Sequence, residues 1–146
     1  MTPAQFSQHM TKAAAAVPRF LAAAEAVTLQ EAKALAITLS SGTLTTATLR
    51  RAGHPFAVRA PNSAYDPGLI NSQSKVFRSS FLAVNPMAAF GEIVSSVLNN
   101  SAVAGYLANG TRFMIARPLA VKVQAAVRVR RLARTAEAIR SAFLNP

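Results

Sequence analysis

The chain has 146 residues, 51% of them hydrophobic, and sets 16 Lys and Arg against 5 Asp and Glu for a formal net charge of +11. That length suits a single domain spanning 1–146, with a core of Ala and a few Phe, Leu and Val anchors because Trp is absent, and the charge selects anionic partners: nucleic acid, an acidic protein ring or a membrane surface. The absence of Cys excludes disulfides, thiolate metal sites and a Cys nucleophile, and no apolar run approaches the ~18 residues of a membrane span.

The N-terminal stretch Met1 to Val27 has an Ala run, but Lys12 and Arg19 interrupt it and no basic leader precedes it, so a secretory signal is not expected. Thr2, Pro3 and Gln5 read instead as an N-cap, a first-turn proline and a reciprocal capping partner. Phe6, Met10, Ala13, Val17, Phe20, Ala24 and Val27 recur at helical spacing, with Pro18 predicting a kink. The stripe changes phase to Leu29, Ala32, Ala36 and Leu39. Thr28 and Glu31 offer a second capping box that would divide the helix, but the Ala and Leu content favours one continuous bent helix ending at Ser40, Ser41 and Gly42.

Thr45 to Ala52 predicts a short helix stopped by Gly53. The Pro-, Asn- and Ser-rich segment at about 54–75 predicts a long loop, with a short strand at Phe56 to Arg59, of a length usually reserved for function or for ordering on a partner. Tyr65 and Asp66 on this arm are candidate interface residues. Val76 to Val84 and Phe90 to Asn99 read as an antiparallel hairpin turning at Asn85 and Pro86, with Phe77, Phe81 and Ala83 on one face and Ile93 and Val97 lining the same side of the partner strand.

A helical turn is expected at Ala102 to Leu107, and Gly110 permits a left-handed turn before Phe113 to Ile115. After Pro118 a last helix runs to about Phe143, with Val121, Ala125, Val129, Leu132, Ala136, Ile139 and Phe143 as its apolar stripe. The predicted fold class is α+β: a long N-terminal helix, a small antiparallel sheet with a central hairpin, and a C-terminal helix packed on the sheet.

The residues supply no recognisable catalytic pattern. His9 and His54 have no ligand-type residue at helical spacing, and Glu25, Glu31, Asp66, Glu92 and Glu137 are scattered over separate elements. No nucleophile elbow and no phosphate-cradling glycine loop occur. The expectation is a protein that is not an enzyme and needs no cofactor or metal. The densest charge lies on the last helix, where Arg128, Arg130, Arg131 and Arg134 can meet an acidic surface or a phosphate backbone.

The segment NNSAVAGYLANGTRFMIARP, Asn99 to Pro118, resembles the tail-completion and head-tail connector (neck) family of long-tailed bacteriophages through Tyr106, Gly110, Thr111, Met114, Ala116, Arg117 and Pro118. Upstream, KVFRSSF (Lys75 to Phe81) is similar to the family's strand after a Thr-Gly turn, although Gln73 and Ser74 stand where that turn is usual and Ala108 replaces a frequent acidic residue.

The resemblance implies a structural virion protein: a homo-oligomeric, six-fold ring at the head-tail junction or head-proximal tail end, assembled in the host cytoplasm. Its partners would be portal-side connector or stopper proteins and the tail tube or terminator, with DNA passing through its lumen and no membrane. Two alternatives stand beside it: a tail terminator or minor tail subunit, and a basic nucleic-acid-binding module.

Overall fold

A computed structural model describes residues 1–42, 75–89, 92–110 and 116–146. Its architecture is α+β, with a long N-terminal helix, a two-stranded antiparallel sheet and a C-terminal helix packing on it. The elements are α1 (Pro3–Leu39), α2 (Val76–Ser79), β1 (Phe81–Ala89), β2 (Glu92–Asn99), α3 (Ala104–Asn109) and α4 (Leu119–Leu144). The helix at Thr45 to Ala52, the strand at Phe56 to Arg59 and the arm at about 54–75 that sequence suggests lie outside the described residues, apart from Lys75.

α1 begins as its capping residues dictate. The Thr2 amide donates to Gln5 Oε1 at 2.8 Å and the Gln5 amide to Thr2 Oγ1 at 3.3 Å, so two of the first turn's amides gain acceptors. The helix then runs unbroken through Pro18 to Leu39. Thr28 does not cap a second helix, because its hydroxyl donates back to the Ala24 carbonyl at 3.0 Å. At the far end Ser40 and Ser41 donate their hydroxyls to the carbonyls of Ala36 and Ile37, at 2.7 and 2.6 Å, adding a second donor to two carbonyls that the Ser40 amide already reaches at 3.1 Å.

Between the helices the backbone departs from the pattern of alternation. Val76 to Ser79 form a helical turn, and the first strand starts only at Phe81 and runs to Ala89, so Asn85 and Pro86 lie within β1, while β2 begins at Glu92 and Phe90 lies outside the described residues. Among the described residues the sheet has two strands, so Pro86 stands on an edge strand, the place in a sheet that tolerates a residue without N–H. Phe77 and Phe81 nevertheless meet, buried and edge-to-face with centroids 5.3 Å apart, because four residues of helical turn return the chain to the same side.

The chain forms two compact units, neither of them a continuous segment: one of Met1–Glu31, Ala83–Ser96 and Val127–Pro146, the other of Ala32–Leu82 and Val97–Ala126. In the first, α1 and α4 lie antiparallel along a seam of alanines. Ala13 and Ala142 are fully buried, Ala138 nearly so, and His9 Nε2 lies 2.9 Å from the Phe143 carbonyl.

The second unit buries Ala32, Ala36, Ser40, Phe77, Phe81, Arg117 and Val123. There Asn99 acts as a brace, its Nδ2 donating to the Phe77 carbonyl at 2.8 Å while its Oδ1 accepts from the Ser101 amide at 2.9 Å.

α4 presents the opposite face from the one its sequence suggests. Val123, Ala138 and Ala142 are buried and Val127 half-buried, while Val121, Ala125, Val129, Leu132, Ala136, Ile139 and Phe143, the expected core stripe, are all exposed. Small side chains let helix axes approach closely, and Ala138 and Ala142 supply them on the inward face, which carries no Leu, Ile or Phe among its buried residues.

Two stability outcomes follow from these local arrangements. Phe81→Ala removes a ring from the aromatic pair and is expected to cost about 3–5 kcal/mol in urea unfolding. Lys75, at φ 61°, holds a left-handed conformation that costs a side-chain-bearing residue roughly 1–2 kcal/mol, so Lys75→Gly is expected to raise the urea midpoint.

Candidate interaction surfaces

The positive run on α4 separates into two sets. Arg134 forks onto Glu31 of α1, its Nη1 donating to Oε2 at 2.9 Å and its Nη2 to Oε1, and Nη1 also reaches the Thr28 hydroxyl at 3.3 Å. Arg131 Nε donates to Glu25 Oε2 at 3.0 Å, and Arg130 Nη1 stands 3.7 Å from Glu31. These arginines, expected to meet an acidic neighbour, thus find carboxylates within their own chain. Arg128, one turn before Arg131, is exposed.

Glu25 does double duty. Its Oε1 accepts the Ser95 hydroxyl of β2 at 2.6 Å while Oε2 takes Arg131, so one carboxylate ties hairpin, first helix and last helix together. Sequence reading overlooked this set, yet a signal was present: Glu25, Thr28 and Glu31 recur every three residues, so they share a face of α1, as Arg131 and Arg134 do on α4.

The Arg134 hydrogen bonds hold the Glu31 carboxyl below its ordinary value of 4.5, against an opposing desolvation, with further support from the Arg134 and Arg130 charges. At the outer surface Arg140 pairs with Glu137 one turn away at 3.6 Å.

The resemblance segment divides between described and undescribed residues. Tyr106 is exposed on α3, and Gly110 closes that helix at φ 73° and ψ 177°, a conformation open essentially to glycine alone. Thr111 and Met114 lie outside the described residues, as do Tyr65, Asp66 and His54.

Ala116 is exposed, whereas Arg117 is buried and its amide donates to the Leu107 carbonyl at 2.8 Å, joining the approach to α4 to α3. The Pro118 carbonyl accepts the Lys122 amide at 3.2 Å, so Pro118 sits at the N-cap of α4.

Among the described residues no group of His, Asp and Glu could hold a metal ion, and no helix is long and apolar enough to cross a membrane. What the described surface offers is contact area. In the first unit Val84, Met87 and Val94 of the hairpin are exposed with Val129, Leu132 and Ile139 of α4; in the second, Leu82 and Leu98 of the hairpin are exposed.

The depressed Glu31 carboxyl fixes the sign of a pH effect. Its folded value lies below its unfolded one, so its stabilisation is present above about 4.5 and is lost as pH falls through the folded value. Urea unfolding at neutral pH and at about pH 3 is expected to show a smaller acid loss for Glu31→Gln than for the parent chain. Comparisons with family models, curated proteins and solved structures return no match for this chain.

Proposed function

We propose that this chain is a structural, non-enzymatic ring subunit at the head-tail junction of a long-tailed bacteriophage, joining the tail to the capsid connector. The observation that carries an assembly role is the outward placement of large apolar side chains on both the hairpin and α4, since monomeric proteins seldom leave such residues grouped in solvent. The phage assignment rests on the resemblance of residues 99–118. Arg117 and Gly110 fit it as structural elements, one buried and one holding a glycine-specific turn.

In the ring, like copies meet through the hairpin. Val84 and Val94 in one unit and Leu82 and Leu98 in the other point outward, and none of these carries charge. A chain with a net charge of +11 can approach its own copy with least repulsion through neutral residues. The rival reading, a basic nucleic-acid-binding module, draws on the same net charge. It is weakened because Arg130, Arg131 and Arg134 already have carboxylate partners.

The test is electron microscopy and mass measurement of the purified chain, together with labelling of the intact particle. Closed rings located between capsid and tail are expected, and Val94→Lys is expected to leave a folded, ring-deficient subunit. A chain that stays monomeric at every concentration and is absent from the neck would refute the reading. Salt-sensitive DNA binding by such a monomer would favour the nucleic-acid module.

A further inference from the structure

We infer that the outer face of α4 is a docking surface for an acidic amphipathic helix contributed by a different protein. The inference rests on the assembly reading only in taking this face to be covered in use. Within Val127–Pro146, Val129, Leu132, Ile139 and Phe143 follow at intervals of three, seven and four, which places them along one side of the helix. Val129 is 75% and Leu132 64% exposed, while the far side of the same helix is held to α1 by Arg131 and Arg134. Arg128 and Arg140 flank the apolar row, both exposed.

Charge selects the occupant. The chain has 5 Asp and Glu; Glu25 and Glu31 are engaged by α4 arginines, Glu137 by Arg140, Glu92 is on the hairpin and Asp66 lies outside the described residues. A second copy docking here would bring Arg128 and Arg140 against their own kind with no spare carboxylate on the helix, a juxtaposition of like charge. Phosphates would neutralise those arginines but leave Leu132 and Val129 facing water. An anionic bilayer could cover both, but the basic face that an interfacial helix offers to lipid headgroups is here engaged by Glu25 and Glu31 of α1. An apolar helix edged with glutamate or aspartate meets both requirements, in the manner of an amphipathic helix laid against a complementary face.

The probe is a fluorescein-labelled stapled helical peptide with Leu and Ile at helical spacing and glutamate on both flanks. It is titrated against the full chain and followed by anisotropy. The control peptide carries lysine flanks, and phosphatidylserine vesicles are assayed in parallel. The glutamate peptide is expected to bind at least about tenfold more tightly than the lysine peptide and to weaken with added salt. Leu132→Asp is expected to abolish binding, Val129→Ser to weaken it, and Arg128→Glu to erase the preference for glutamate, all with unchanged circular dichroism.

Equal or absent binding of the two peptides overturns the inference. So does a dimer lost on Leu132→Asp, which would mean that the face meets its own copy, and so does vesicle binding without peptide binding, which would mean a lipid surface. Ring formation measured on the same samples separates the two claims: rings without peptide binding refute only this inference, and peptide binding without rings refutes only the ring.

Discussion

Glu25 and Glu31 draw Arg131 and Arg134 onto α1, and with those arginines goes one whole face of α4. The orientation of the last helix depends on that seam. Burial of large apolar side chains alone would have turned α4 the other way, since each Leu, Ile or Phe taken fully out of water gains about 1.5–3 kcal/mol. Part-exposed ion pairs contribute little by comparison. The seam becomes understandable once close approach is added: Ala13, Ala138 and Ala142 permit it, forked pairing then fixes the rotation, and the larger apolar residues are left on the exposed side of the helix.

The same seam reaches the sheet. Because Glu25 accepts from Ser95 as well as from Arg131, a change in the helix pair is felt by β2 through a single side chain. This gives a fold with a modest core a means of keeping its elements in register, by polar groups whose geometry is directional where alanine packing is not.

Much of this was legible in the sequence. The capping residues located the start of α1, helical spacing located α4, and the Phe77 and Phe81 pairing held although the first of the two sits on a helical turn. What alternation misread was the boundary of that turn and the place of Pro86, because a period of two and the return of a short helix both bring residues four apart to one side. The rotation of α4 was illegible for a different reason. Periodicity finds an apolar stripe without saying whether the chain or a partner covers it, and only the Glu25, Thr28 and Glu31 spacing hinted that the basic side was the inward one. Tyr65, Asp66, Thr111 and Met114 lie outside the described residues.

The alanine seam inverts the usual relation between residue size and mutational tolerance. In a saturation scan read out by stability of the isolated chain, the bulky Leu132 and Val129 should accept most substitutions, whereas the small Ala13 and Ala142 should reject nearly everything but Gly and Ser. On the assembly role proposed above, a scan read out by assembled particles would penalise both groups. Subtracting the first map from the second would therefore outline the contact surface without any partner having been identified.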